Sequence, residues 1–254
     1  MIFQPVADNL RESFRVVASS RPGGEVRELP GVSIASANVA FQMFNAAFLS
    51  EPVATEAELA RRVHLASLHF GDRGREWSYW ICEDFLEPRV RRRSRSFVER
   101  QGLRFSTELP GMTADRIQPP RAPLPVLDIQ RVATRATREA FCQIGSVCFH
   151  VPILWFREVF ENPDVWKRFV SFVAYVGGEP VATASVVEGG GVLGVYNVAT
   201  LPEYQRRGYG ECVMRHAIAQ FAASPVILQS TPAGLRLYQR MGFRRVATVA
   251  VYAS

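Results

Sequence analysis

Residues 200–210, TLPEYQRRGYG, combine the residue types that bind an anionic group. Gly208 and Gly210 have no Cβ, so the backbone can turn sharply there and approach a ligand closely. The segment lies between a predicted strand and a predicted helix, and the first amides of a helix have no partner inside it. With the helix dipole these amides favour an anion, and Arg206 and Arg207 add positive charge beside them. The segment therefore predicts a phosphate-binding loop.

A second interpretation of this segment needs no ligand, because an exposed turn before an amphipathic helix has the same composition. Two common phosphate loops do not fit. A dinucleotide-binding loop needs a third glycine and an acidic residue about 20 positions later, and a Walker loop needs Gly-Lys-Ser/Thr. The helix after the loop carries a regular apolar face, which predicts firm packing of the loop on a core. That face consists of Gly210, Val213, Met214, Ala217, Ile218 and Phe221.

Strands and helices follow one another in the second half in an order that defines a sheet domain. Short turns at 177–180 and 189–191 join three predicted strands into an antiparallel meander. Strands are predicted at 169–176, 181–187, 192–200, 226–229 and 243–252, and helices at 132–149, 152–160, 205–221 (with the loop) and 233–241. This order predicts an α+β or mixed α/β fold, with a mainly antiparallel sheet flanked by helices.

The first half is less regular, and a proline-rich segment separates it from the second. Helices are predicted at 5–20, 56–70 and 88–101, and strands at 32–34, around Phe48, at 77–85 and at 103–112. Four prolines lie within residues 118–125, and proline fits neither a helix interior nor a sheet interior. We therefore expect a first domain at 1–117, a linker at 118–126 and a second domain at 127–254.

Two stretches of the second half resemble the GCN5-related N-acetyltransferase (GNAT) family. Gln205-x-x-Gly208-x-Gly210 resembles the acyl-CoA-binding loop of that family, and Tyr238 before Gly242-Phe243 resembles its second conserved stretch. The two stretches occur in the family's order and at a suitable spacing, and the resemblance covers roughly 128–252. Residues 77–112 resemble the last part of the same fold more faintly, without a QxxGxG loop. The resemblance implies two tandem acyl-CoA N-acyltransferase-like domains, the first a degenerate copy that binds no cofactor.

The resemblance also implies a reaction and a set of site residues. Acetyl-CoA, or another acyl-CoA, would be the co-substrate, without a metal, and the acyl group would pass directly to an amine of a small molecule or amino-acid-like acceptor. Tyr238 is implied as the acid that protonates the leaving thiolate; alternatively it only packs on the sheet. The implied cofactor-binding residues are Val198, Thr200, Gln205, Arg206, Arg207, Gly208, Tyr209, Gly210, Ser230 and Thr231. The family usually has asparagine in place of Thr231, so one hydrogen bond to the cofactor is in question.

The acceptor side of the site is less defined by the sequence. Tyr196 and Asn197 are polar residues near the implied centre and are candidate substrate contacts. His150 lies between two predicted helices that shape the acceptor pocket in relatives, although a structural role also fits. No acidic residue lies within 192–200, so a water chain or an already neutral amine would replace a general base. Cys212 lies one turn into the helix after the loop, where either a lowered thiol pKa or simple packing is expected.

Composition and charge narrow the possible partners. The net charge is +6, of which residues 1–120 carry +1 and the remainder +5, so the excess lies beside the predicted phosphate loop. Five arginines between 89 and 95 wrap around a predicted helix without a base-reading motif, which favours a solvated face over a nucleic-acid partner. The four cysteines form no CxxC pair, which predicts buried thiols in a reducing compartment.

No apolar run of about 18 residues and no signal-peptide pattern is present, so we expect a cytoplasmic protein without a membrane partner. A monomer or a homodimer fits the sequence. One alternative function uses the same loop without turnover: a non-catalytic CoA-binding sensor or regulatory module would keep 205–210 and make no use of Tyr238.

Overall fold

The computed structural model describes residues 1–222 and 225–254. The first half contains α1 (Gln4–Ser19), β1 (Glu25–Leu29), β2 (Val32–Ser36), β3 (Asn45–Leu49), α2 (Glu56–Gly71), β4 (Ser78–Cys82), α3 (Pro88–Arg91), α4 (Ser94–Arg100) and β5 (Arg104–Ala114). The second half contains β6 (Asp128–Arg131), α5 (Arg135–Phe149), α6 (Ile153–Phe160), α7 (Val165–Arg168), β7 (Val170–Val176), β8 (Glu179–Gly189), β9 (Val192–Thr200), α8 (Tyr209–Ala219), β10 (Val226–Gln229), α9 (Leu235–Arg240) and β11 (Arg244–Ala253).

The predicted elements are present, and the differences have local causes. The helix predicted at 88–101 is two helices, and the Ser94 hydroxyl at the break donates to the Arg91 carbonyl at 2.9 Å. Such a side-chain bond competes with the helical pattern. Two strands that the sequence did not predict, β1 and β6, are mostly exposed and carry charged residues, as edge strands often do.

Within the described residues, the strands form one eleven-stranded sheet in the order β1-β2-β3-β4-β11-β5-β10-β9-β8-β7-β6. Each half contains a parallel β–α–β unit, β3–α2–β4 in the first and β9–α8–β10 in the second. The final strand of each half pairs with the other half: β11 lies antiparallel between β4 and β5, and β5 lies antiparallel to β10. The predicted linker thus joins two halves that have exchanged a strand.

Helices cover both faces of this sheet, because neighbouring residues of a strand point to opposite sides. In the second half, Val186 packs in the cluster that contains Met214 of α8, whereas Val187 packs with Phe141 of α5. The first half repeats this arrangement. Ala47 packs in the cluster of α2, and Ala46 packs with Leu10 and Phe14 of α1.

Helix α1 of the first half is hydrogen-bonded to strands of the second. The fully buried Asn9 donates from Nδ2 to the carbonyls of Val187 at 3.1 Å and Gly189 at 3.0 Å, and its Oδ1 accepts from the Tyr196 hydroxyl at 2.6 Å. A Cβ at Gly194 would lie 1.8 Å from Asn9 Oδ1, so this approach requires glycine. These bonds fix α1 over β8 and β9, where it forms one wall of the site described below.

The four cysteines are free thiols. Burial raises the pKa of the Cys82 and Cys142 thiols to about 12, so both remain protonated. Over residues 1–222 and 225–254, no helix is both long and apolar enough to cross a membrane.

Candidate active site

The parallel strands β9 and β10 separate along their length. They pair only between Leu193 and Val195 on β9 and between Val226 and Leu228 on β10. From Tyr196 to the end of β9, the edge that faces β10 has no ladder partner among the described residues. Unpaired N–H and C=O groups on a strand edge can bind an extended ligand. The opening is therefore suited to a chain-like molecule lying between the strands.

A β-bulge interrupts β9 at this opening. The register with β8 shifts between Thr183 and Ser185, and Asn197 has a left-handed backbone with φ 47°. The Thr183 hydroxyl donates to the Asn197 carbonyl at 2.8 Å and holds the bulge in place. Bulges often redirect side chains next to functional sites.

Two amide donors beside the opening are buried without a hydrogen-bond partner in the described part of the chain. They are Nδ2 of Asn197 on β9 and Nε2 of Gln229 at the end of β10. A buried donor without an acceptor costs about 1–3 kcal/mol. Both residues line the cavity described below.

The loop before α8 exposes backbone amides. The cap of α8 is Gly208, with φ 79° and no side-chain hydrogen bond, and the first backbone bond of the helix runs from Cys212 N to Gly208 O at 2.9 Å. A Cβ at Gly210 would lie 2.9 Å from Thr200 Oγ1. The amides before Cys212 have no helical partner, so the end of α8 is open to an anion.

Gln205 and Arg207 contact other residues of the loop, whereas the Arg206 side chain has no partner among the described residues. Gln205 Nε2 donates to the Thr200 carbonyl at 3.2 Å, and the Arg207 guanidinium lies 5.5 Å from the Tyr204 ring centroid. Arg206 has φ 61°, is exposed and has no side-chain partner among the described residues. A free cation therefore stands beside the open amides, in a backbone conformation that is rare for a residue with a Cβ.

The corresponding helix of the first half begins differently. Thr55 caps α2 by accepting from the Glu58 amide at 3.2 Å, and the Glu58 carboxylate accepts from the Ala54 amide at 3.0 Å. The Ala54 donor lowers the pKa of Glu58, and Arg62 pairs with the same carboxylate. With Glu56 also in the first turn, this helix start is already satisfied and negatively charged. It offers no place for a phosphate.

A cavity of about 450 Å³ lies at the strand opening. Seven of the predicted site residues line it: Tyr196, Asn197, Val198, Thr200, Gln205, Thr231 and Tyr238. Seven residues of the first half line it as well: Leu10, Ser13, Phe14, Met43, Phe44, Trp80 and Leu109. The cavity thus crosses the sheet from β4 to β9, with α1 above it.

Tyr238 on α9 brings a hydroxyl to this cavity. The side chain is buried, and its hydroxyl has no hydrogen-bond partner in the described part of the chain. Burial raises the pKa of Tyr238 to about 12, so the hydroxyl stays protonated and can donate. The ring lies against Gly234, where a Cβ would approach it to 2.6 Å, and 6.0 Å from the Phe243 ring.

Comparison with known families and structures agrees with this geometry. Residues 167–245 match the family model described as "Acetyltransferase (GNAT) domain". These 79 of the 254 residues are similar to a GNAT acetyltransferase domain, and the segment is called the GNAT domain below. The matched residues contain β7 to α9, and therefore the strand opening, the loop before α8 and Tyr238. No curated protein matches the chain.

Solved structures show the same fold over the whole chain. A GCN5-related N-acetyltransferase from Kribbella flavida is 19% identical, with a TM-score of 0.71 over 98% of this chain and 95% of the other. A functionally unknown conserved protein from Staphylococcus epidermidis is 14% identical, with a TM-score of 0.65 over 90% and 92%. A putative GNAT acetyltransferase from Novosphingobium aromaticivorans is 16% identical, with a TM-score of 0.55 over 98% and 97%. The fold is the mixed, mainly antiparallel sheet of the GNAT class.

The predicted residues that do not line the cavity are Arg206, Arg207, Gly208, Tyr209 and Gly210 of the loop, together with Ser230 and His150. Ser230 is fully buried, and its hydroxyl donates to the Thr231 carbonyl at 2.8 Å. His150 caps α5 with a left-handed backbone, φ 55°, and is exposed. The Cys212 thiol donates to the Pro125 carbonyl at 3.4 Å, and burial raises its pKa, so the lowered pKa considered from the sequence is wrong.

The sequence did not predict that residues of the first half line the cavity. Phe14 lies on the apolar face of a helix and Trp80 in an apolar strand, and both patterns are those of ordinary core residues. Only the pairing of β11 with β4 brings Trp80 into the same sheet as the GNAT domain. Gln229, at the end of a short strand, carried no recognisable signal either.

The arginines at 89–95 are largely engaged with neighbouring side chains. Arg91 pairs with Glu83 at 3.3 Å and Asp84 at 3.2 Å, and the Arg95 guanidinium lies 4.0 Å from the Phe105 ring centroid.

Proposed function

We propose that this protein transfers the acetyl group of acetyl-CoA directly to an amine of a small molecule. The observation that carries the proposal is that the strand opening after Val195 and Tyr238 line one cavity, and that Gln205, in the loop that leads to the open start of α8, lines it as well. The strand opening, Tyr238 and the start of α8 would each contact a different part of an acyl-CoA.

The residues of the loop and strands fit CoA. The pyrophosphate would bind the amides at 208–211, with Arg206 and Arg207 beside it. Gly208 and Gly210 leave the backbone bare at that point, since a Cβ at Gly210 would already touch Thr200. The amides of the pantetheine arm would bond with the unpaired edge of β9 at Val198 and Thr200. Thr231 and Tyr209 would border the same groove.

The thioester of bound acetyl-CoA supplies an acetyl carbon that an amine can attack directly. Asn197 Nδ2, which lacks an acceptor of its own, would donate to the acetyl oxygen and stabilise the charge that develops there. Tyr238 would protonate the departing sulfur, because its hydroxyl remains protonated throughout the physiological range. Tyr196 donates to Asn9 and would shape the cavity through its ring.

The first half would serve as a wall and not as a second catalytic unit. The start of α2 is closed by Thr55 and Glu58, which leaves no anion site where the GNAT domain has one. We propose that residues 1–117 are a degenerate copy of the 127–254 unit, joined to it by the linker and by the exchange of β5 and β11.

Calorimetric titration with acetyl-CoA tests the cofactor site. Gly208→Glu places a side chain and a negative charge at the open helix start, and we expect binding to fall at least 100-fold. Gly177→Glu is the matched control, because Gly177 is also exposed with a positive φ (59°) but lies in the β7–β8 turn. Equal affinity of both variants, or no binding by the folded wild type, would refute the proposal.

A further inference from the structure

The cavity of the GNAT domain is uncharged. Within the described chain, none of the residues that line it is an aspartate, glutamate, lysine, arginine or histidine. One third of them are aromatic: Phe14, Phe44, Trp80, Phe149, Phe169, Tyr196 and Tyr238. Small-molecule sites combine an apolar lining with a few placed polar groups, and those groups usually set the charge of the ligand.

A continuous path of aromatic rings leads from the surface to the floor of this cavity. The half-exposed Trp155 stacks on Phe41 at 6.2 Å, and Phe41 contacts Phe44 at 5.6 Å. Phe44 stacks on Phe14 at 5.3 Å, and Phe14 contacts Trp80 edge-on at 5.0 Å. Both halves supply rings to this path. Such rings favour an aromatic ligand through offset and edge-to-face contacts.

The polar groups of the cavity disfavour a cation. An ammonium group only donates hydrogen bonds, and the two unpartnered groups, Asn197 Nδ2 and Gln229 Nε2, are donors as well. Among the described residues that line the cavity, none is a carboxylate that could pair with a positive charge, and burying an unpaired charge is costly. The same described lining contains no arginine or lysine to hold the carboxylate of an amino acid. It also contains no histidine or carboxylate to take a proton from an ammonium group.

We propose that the acceptor is an aromatic amine whose amino group is uncharged at neutral pH, as in an arylamine. This inference rests on the proposed acetyl transfer and narrows the small-molecule or amino-acid-like acceptor expected from the sequence to one class of small molecule. The nitrogen lone pair forms the C–N bond as the C–S bond breaks. The displaced amine proton leaves to water, and the sulfur takes the Tyr238 proton, which water then restores.

Three probes of similar size and different charge test the acceptor class: 4-ethylaniline, 2-phenylethylamine and phenylalanine. With the full chain and acetyl-CoA, free CoA thiol is measured at pH 7 and across pH 6–9. We expect 4-ethylaniline to have the highest kcat/KM at pH 7, at least tenfold above the other two, and a flat pH profile. The rate with 2-phenylethylamine should rise about tenfold per pH unit as the neutral amine becomes available.

A carboxylate introduced into the cavity lining tests whether the uncharged lining causes the preference for a neutral amine. Met43 is partly exposed and lines the cavity, so Met43→Glu places a carboxylate there, and Met43→Gln is the control of equal shape. We expect Met43→Glu to shift the ratio of kcat/KM at least tenfold toward 2-phenylethylamine, and Met43→Gln to keep the wild-type preference.

The outcomes separate this inference from the proposed function. Acetylation of phenylalanine or 2-phenylethylamine in preference to 4-ethylaniline at pH 7 overturns the inference and leaves acetyl transfer standing. Binding of acetyl-CoA without turnover of 4-ethylaniline overturns it too. Absence of acetyl-CoA binding removes the proposed function itself.

Discussion

The proposed role of Tyr238 depends on a side-chain hydroxyl that no described residue engages in a hydrogen bond. Its hydroxyl lies at the cavity without an acceptor among the described residues, whereas the Tyr196 hydroxyl is engaged by Asn9. The same burial that raises the Tyr238 pKa to about 12 makes it a weaker acid than a solvated tyrosine, but keeps it fully protonated. Position, more than acidity, therefore makes it the candidate proton donor.

Tyr238→Phe should lower kcat by about 10²–10⁴-fold without changing affinity for acetyl-CoA, because only a proton donor is removed. Steady-state kinetics and calorimetry measure the two quantities. Tyr79→Phe is the control, since its hydroxyl is also buried without a partner but lies in the cluster packed against α2. Unchanged kcat in Tyr238→Phe would exclude the acid role. An absence of turnover with the wild type and every acceptor, despite CoA binding, would favour the non-catalytic sensor.

Strand β9 lines the cavity and leads into the loop before α8. Its first part pairs with β10, its bulge at Asn197 turns an amide toward the cavity, and its last part leads into the loop before α8. Asparagine tolerates the left-handed backbone better than most residues with a Cβ. The proposed mechanism therefore uses Asn197 twice, for the shape of the strand and for its side-chain amide.

Two substitutions separate the effect of Asn197 on the backbone from the effect of its side-chain amide on the reaction. Asn197→Ala should lower the free energy of unfolding by about 1 kcal/mol, because alanine is strained at positive φ, whereas Asn197→Gly should not. Both should reduce kcat about tenfold through loss of the amide donor. Asn38→Ala, at an exposed position with φ 55°, should show the same strain with normal kcat. Full activity in Asn197→Gly would show that the amide has no part in the reaction.

The whole molecule is held together by the exchange of β5 and β11 more than by the linker. β11 pairs with nine residues of β5 and five of β4, and β5 pairs with four residues of β10. Each half thus completes the sheet of the other. The cavity lies across this junction, and residues of both halves line it.

Cleavage within the linker tests this dependence. A protease site inserted at the exposed residues 119–122 should be cut while the two fragments stay together on gel filtration, because the exchanged strands hold them. Acetyl-CoA affinity should remain within about twofold of the uncut protein, since a cut at 119–122 leaves Pro125, which contacts Cys212 and borders Gly208, in the fragment that carries α8. Elution of two separate folded fragments would show that each half forms its own sheet.

Most elements and one side of the site follow from local patterns. The spacing of apolar residues predicts α1, α2, α5 and β9 closely, because helices and strands impose different periods. The loop at 205–210 and Tyr238 are recognisable because glycine, arginine and tyrosine each serve a specific need there. Residues such as Phe14 and Trp80 could not be assigned to the site, since an apolar side chain looks the same in a core and in a cavity wall.

The sequence alone predicted the class of fold, the glycine- and arginine-rich loop at 205–210 and, through the family resemblance, Tyr238, because each depends on residues close together in the chain. The tertiary structure decided the strand exchange, the bond of Asn9 to Tyr196 and the uncharged aromatic cavity. These features depend on contacts between residues more than 100 positions apart, such as Asn9 with Tyr196, and no local pattern encodes which distant strand fills a gap in a sheet. The aromatic cavity is therefore a property of the fold, and the loop at 205–210 is a property of the sequence.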